Sequence, residues 1–178
     1  MRADARRNYD RLLDAARTTL TEVGSDAPLE EVARRAGVGI GTLYRHFPRR
    51  LDLLEAVYRK DVEKLATSAE RLLAAASPWD ALEGWLTEFI GYATTKRALF
   101  HELVDAVGRD SELLTYSRQV ITTSATSVLA RAQEAGVARR DAEPGDLLRL
   151  VGGCTMMADL EPDQQARMLR IVLDGLRA

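Results

Sequence analysis

The sequence predicts an all-α protein, and three observations carry that prediction. Apolar residues recur at helical spacing in almost every segment, no stretch shows the alternation or β-branched enrichment of a half-buried strand, and Gly or Pro punctuates the periodic segments. The expected architecture is an N-terminal three-helix unit followed by a larger helical domain, with about nine helices in all.

The first helix is expected over about 4–23, where Tyr9, Leu12, Leu13, Ala16 and Leu20 share one face and Gly24 stops the run. A short second helix opens at Pro28, a residue suited to the first helical turn, and ends at Gly37. Gly39 opens a third, Ile40 to Phe47, which Pro48 closes because helical geometry is disfavoured just before proline. A long fourth helix is expected over 49–76, then five more at about 78–94, 97–107, 110–136, 144–158 and 162–177. Their breaks fall at Ser77-Pro78, around Lys96, at Gly108, from Gly136 to Pro144 and at Glu161-Pro162. The domain boundaries that follow are 1–48, a connecting helix at 49–76, and 77–178.

Composition narrows the function classes. The 178 residues are 46% hydrophobic and 29% charged, without low-complexity tracts, as in an ordinary globular chain. No apolar run approaches the ~18 residues needed to cross a bilayer, and charge runs through the first 20 residues, so a cytoplasmic protein with no membrane partner is expected. Cys154 is the single cysteine and His46 and His101 the only histidines, which leaves no cysteine cluster for zinc and gives no reason to expect a metal or cofactor. No catalytic spacing is found in 78–178, so no enzyme is expected. The net charge of −2 conceals +3 over residues 1–60 and −5 over 61–178. Between Val32 and Leu51 lie Arg34, Arg35, Arg45, Arg49 and Arg50 without one carboxylate, a local footprint that suits a polyanion.

That basic stretch coincides with two short helices around a glycine turn. Ala33 allows a close helix crossing, Gly37 suits a positive φ, and Val38, Leu43 and Phe47 supply apolar contacts that lock the pair. The outer face of the third helix is left with Gly41, Thr42, Tyr44, Arg45 and His46. Two turns of helix are not stable alone, so their role is to be presented by a scaffold. Arg34 and Arg35 suit either a polyanion or a merely solvated helix face.

The run Val38-Gly-Ile-Gly-Thr-Leu-Tyr-Arg-His-Phe-Pro-Arg-Arg-Leu-Asp-Leu-Leu-Glu-Ala-Val-Tyr58 closely resembles the signature of TetR-type bacterial repressors, over about residues 5–60. The resemblance implies a helix-turn-helix regulator with double-stranded DNA as partner, groove-facing Ile40, Gly41, Thr42 and Tyr44, and phosphate contacts from His46 and Arg50, with Arg45 and Arg49 beside them. Ala27 departs from the pattern, which often has a threonine that caps the second helix and touches phosphate. Gly39 replaces a frequent serine or threonine cap.

The resemblance also implies a small-molecule effector bound among the middle helices, and a homodimer made through the last two. Candidate pocket residues are Trp85, Phe89, Tyr92, Phe100, His101, Val104 and Tyr116. His101 is an ionisable group in an apolar run that suits either a polar ligand or an ordinary satisfied site. Candidate dimer residues are Leu148, Val151, Gly152, Met168, Leu169, Val172 and Leu176. The final helix carries more apolar positions than one stripe can use, and Gly152-Gly153 would allow close backbone approach. A palindromic operator read by two recognition helices and released by ligand is the expected mode of action. The alternative is a helical binding module whose helix-turn-helix contacts protein.

Overall fold

In a computed structural model, which describes residues 2–24, 26–75, 77–156 and 161–178, every expected segment is helical. Eight helices are present among the described residues: α1 Arg2–Val23, α2 Leu29–Ala36, α3 Ile40–His46, α4 Arg50–Ala75, α5 Pro78–Val107, α6 Glu112–Glu134, α7 Pro144–Met156 and α8 Pro162–Leu176. The break expected at Lys96 is absent. The run Ala93-Thr-Thr-Lys-Arg-Ala98 holds neither Gly nor Pro, so nothing there interrupts the hydrogen-bond ladder, and the two segments are one 30-residue helix. The expected ends of the fourth and eighth segments, Ala76 and Met157-Ala158, lie outside the described residues, as does the side chain of Cys154.

The chain divides into two compact units, Met1–Asp61 with Thr95–Leu113, and Val62–Thr94 with Leu114–Ala178. In the first, α1 packs on α2 and α2 on α3. Its core joins Leu12, Leu13, Ala16 and Leu20 of α1 to Val32, Ala33 and Ala36 of α2, Leu43 of α3 with Phe47 just after it, Leu53, Leu54 and Val57 of α4, and Leu99 and Leu103 of α5. Charged pairs reinforce it: Arg17 Nε lies 3.0 Å from the carboxylate of buried Asp61, and Lys60 Nζ lies 3.1 Å from Asp14.

In the second unit α7 packs on α8. Its core is built around Leu82, Trp85, Leu86 and Phe89 of α5, Ala125, Val128 and Leu129 of α6, Leu147 and Val151 of α7, and Leu173 and Leu176 of α8. The indole Nε1–H of Trp85 donates to the Leu65 carbonyl at 3.2 Å. The C-terminus is held by a single antiparallel bridge, Ala138 to Arg177, and by the Arg177 guanidinium 4.0 Å above the Trp79 ring. No helix among the described residues is long and apolar enough to cross a membrane.

Candidate nucleic-acid interface

The geometry of α3 is set by the turn before it. Gly37 ends α2 at φ 64, ψ 37, its N–H donating to the Arg34 carbonyl at 3.1 Å while that of Val38 reaches Ala33 at 3.0 Å. This paired closure satisfies the last carbonyls of α2 and needs left-handed backbone, which a Cβ would strain. Gly39, extended at φ −70 and ψ 149, starts α3 without a side-chain cap. Its carbonyl accepts from Thr42 and Leu43 at 2.8 and 3.3 Å.

Successive helical residues turn by about 100°, so Leu43 and Phe47 fall on one side of α3 while Ile40, Gly41, Tyr44 and Arg45 fall on the other. Leu43 is wholly buried and Phe47 nearly so, whereas Ile40 is 38% and Tyr44 45% exposed. Gly41 and Arg45 are exposed, and Thr42 and His46 are half-buried at the edges. Val38, expected in the core, is half-buried. The His46 ring sits edge-on to Tyr9 of α1 at 5.9 Å, and Tyr9 lies 5.1 Å from Phe47. Tyr9 is therefore a support of the site that its place in the α1 apolar stripe disclosed only as core.

The arginines are where structure corrects the linear reading. Glu31, outside the carboxylate-free window by one residue, accepts two hydrogen bonds from Arg34, both 2.7 Å, and one from Arg35 at 2.6 Å. Those bonds, Arg34 first and Arg35 second, pull the Glu31 carboxyl from an ordinary 4.5 to about 2. Arg35 also pairs with Glu22. Arg49 pairs with Asp52, which in turn accepts the Arg49 backbone N–H at 2.9 Å at the start of α4, and the side-chain bond to Arg49 lowers the Asp52 carboxyl. Arg50 is held more firmly. Its Nη1 donates to the Ala27 carbonyl at 2.7 Å and its Nε to Glu102 at 2.9 Å.

Of the five arginines, Arg45 alone has no carboxylate partner among the described residues. The Arg34 and Arg49 side chains are 73% and 71% exposed, so solvent screens their pairs with Glu31 and Asp52 and these pairs hold the guanidinium groups only weakly. The Arg34–Glu31, Arg35–Glu31 and Arg49–Asp52 pairs lie at helical spacings of three and four residues; Glu22, 13 residues from Arg35, and Glu102, 52 from Arg50, do not. Ala27, 1% exposed, leaves α2 without a side-chain cap, and its carbonyl is occupied by Arg50.

The remaining candidates fall in both units. Trp85, Phe89 and Tyr92 form a buried aromatic column along α5, with ring centroids 5.6 and 5.8 Å apart. Phe100 is half-buried under Lys96, whose Nζ is 4.6 Å from its ring centroid, and Val104 is half-buried. His101 is exposed and lines an open cleft of about 850 Å³ with Asp26, Ala27, Arg50, Glu102 and Asp105. Tyr116 is 47% exposed. On α7 and α8, Val151 and Leu176 are buried, and Leu148, Gly152, Met168, Leu169 and Val172 are half-buried. A Cβ on Gly152 would lie 3.9 Å from the Phe89 ring. Among the described side chains of these helices, the exposed large apolar ones are Leu150 and Ile171, at 55% and 71%, and they border a groove of about 440 Å³ with Val172 and Gly175.

Comparison with known proteins places both ends of the chain. Residues 12–57 match the family described as bacterial regulatory proteins, tetR family, and residues 77–178 match the C-terminal domain of SbtR-like transcriptional regulators. The TetR transcriptional regulator SCO0520 from Streptomyces coelicolor is 42% identical, with 94% of this chain and 97% of that one covered and a TM-score of 0.82. The HTH-type transcriptional regulator SrpR of Pseudomonas putida is 30% identical over 119 residues, 66% of this chain. The aligned part is 55% of SrpR, so the match spans about half of that relative's length. The fold is shared with the TetR-like regulator LfrR from Mycobacterium smegmatis, solved in complex with proflavine, at 23% identity, 95% coverage of each chain and a TM-score of 0.68.

Proposed function

The chain belongs to the tetR family of bacterial regulatory proteins, DNA-binding transcriptional regulators and not enzymes, and from that premise we propose that it is a ligand-responsive repressor that binds a palindromic operator as a homodimer. The observation that carries the reading is the division of α3, with Leu43 and Phe47 buried in the unit and Ile40, Gly41, Tyr44 and Arg45 turned outward. A two-turn helix held in this way fits a major groove, where side chains near its start meet base edges and flanking cations meet phosphates. Residues 1–48 form the DNA-binding module, 49–76 the connecting helix, and 77–178 the sensing and pairing domain. The protein acts in the cytoplasm, where the operator is.

One recognition helix reads too few bases for useful specificity, so two copies about 34–36 Å apart would read the two halves of a palindrome. The exposed Leu150 and Ile171 support pairing through α7 and α8. The ligand is a small molecule with apolar, aromatic surface. One fact supports that assignment: the presence of proflavine in the fold relative LfrR. Its binding favours a conformation that releases the operator, and a coupling of about 1–3 kcal/mol would lower affinity 5- to 150-fold.

Fluorescence anisotropy of the full chain on duplexes from the region upstream of its own gene tests the first claim. The expected result is one fragment bound at moderate salt that unlabelled copies of itself displace and random DNA does not. Uniform binding to all fragments, lost as salt rises, would refute a specific operator. Ile171→Glu tests the second claim, by placing a charge in the proposed interface. Light scattering should then report monomers and operator affinity should fall. A dimer that persists would rule out pairing through this face.

A further inference from the structure

The outward face of α3 carries a specific combination of chemistries, and it restricts which base edges it can recognise. Ile40 is a β-branched hydrocarbon side chain left 38% exposed while the apolar residues that hold the helix, Leu43 and Phe47, are 0% and 3% exposed. Packing therefore leaves much of its surface unused. Ile40 has neither donor nor acceptor, so it gains from a base only by covering an apolar group. In the major groove the 5-methyl of thymine is the one such group that any of the four bases presents. Beside it, Gly41 lacks a Cβ, and one built there meets nothing within 4 Å. The fold does not require that glycine for space, and its backbone φ is not in the left-handed region. Glycine is a poorer helix former than alanine, so the position gives up some helix stability and leaves an open path beside Ile40 for a nucleotide to approach.

The rest of the face sharpens the assignment by what it offers. Among Ile40, Gly41, Tyr44 and Arg45 there is no Asn or Gln to pair with adenine and no carboxylate to accept from cytosine. Arg45 is a two-pronged donor without a carboxylate partner among the described residues, the group that suits guanine O6 and N7 or a phosphate. We infer that each operator half-site presents a thymine whose 5-methyl group packs against Ile40, and that this contact, rather than a hydrogen bond, selects that base pair. The inference rests on the operator-binding reading and adds to it the chemistry of one position in the site.

Uracil in place of thymine removes that methyl and nothing else, which makes the test direct. Duplexes bound by the full chain are first selected from a random pool at moderate salt, and each thymine of the selected site is then replaced singly by deoxyuridine. The expected result is one position per half-site where the change weakens binding about fourfold, and about fifteenfold with both half-sites changed, from the value of one buried methyl-sized group. The protein with Ile40→Ala should bind the thymine site more weakly and show no further loss on uracil replacement at that position. The scan on the unaltered protein does not depend on any variant folding. A selected site with no uracil-sensitive thymine, or one whose sensitivity survives in Ile40→Ala, overturns the thymine assignment alone. If the pool yields no enriched sequence, operator binding fails and the inference fails with it.

Discussion

Trp85→Ala is expected to destabilise the protein by about 4 kcal/mol, the largest loss from any single side chain in the second unit. The indole is fully buried, lies parallel to Phe89 with 5.6 Å between centroids, and bonds the Leu65 carbonyl through Nε1–H at 3.2 Å. Truncation removes the largest wholly buried side chain, leaves a cavity that rigid helices α4 and α5 cannot close, and removes one arm of the aromatic column. Trp85→Phe keeps a ring against Phe89 but loses the hydrogen bond, and should cost about 1–2 kcal/mol. Urea unfolding followed by circular dichroism checks both, with the midpoint shifting and the slope unchanged. If Trp85→Ala costs less than about 1 kcal/mol, the column is not a packed core.

The second large effect concerns the recognition helix. Leu43→Ala should cost about 3 kcal/mol, because Leu43 is 0% exposed and is the only buried residue within α3. A seven-residue helix has no stability of its own to fall back on, so that loss falls on the proposed recognition element. Operator affinity should therefore drop sharply while the dimer persists. The double change Tyr44→Ala with Arg45→Ala provides the contrast. Both side chains are exposed, so thermal stability should move by no more than about 0.5 kcal/mol while operator affinity falls. Arg50 is a poor choice for such a variant, since its bonds to Ala27 and Glu102 would confound stability with binding. Equal affinity losses with equal stability losses in the two variants would mean that the outer face of α3 does not touch the operator.

The amino-acid sequence alone determined the helical class, the place of most helix ends and the helix-turn-helix. These depend on local chemistry: Gly37 and Pro48 impose backbone geometry on their immediate neighbours, and apolar residues at helical spacing mark the buried side of α1 and α2. Where no breaker stood, at Lys96, local reasoning had nothing to act on and the helix ran through. The pairing of Arg50 was decided by tertiary structure. Arg50 meets Glu102 because folding brings α4 and α5 together across 52 residues, and a charge count along the chain contains no such distance. The same holds for α7 and α8. Periodicity shows that these helices are rich in apolar residues, but only the neighbours that pack on them decide that Val151 and Leu176 are covered while Leu150 and Ile171 are not. Burial is a relation between elements, and a one-dimensional pattern specifies only one of the partners.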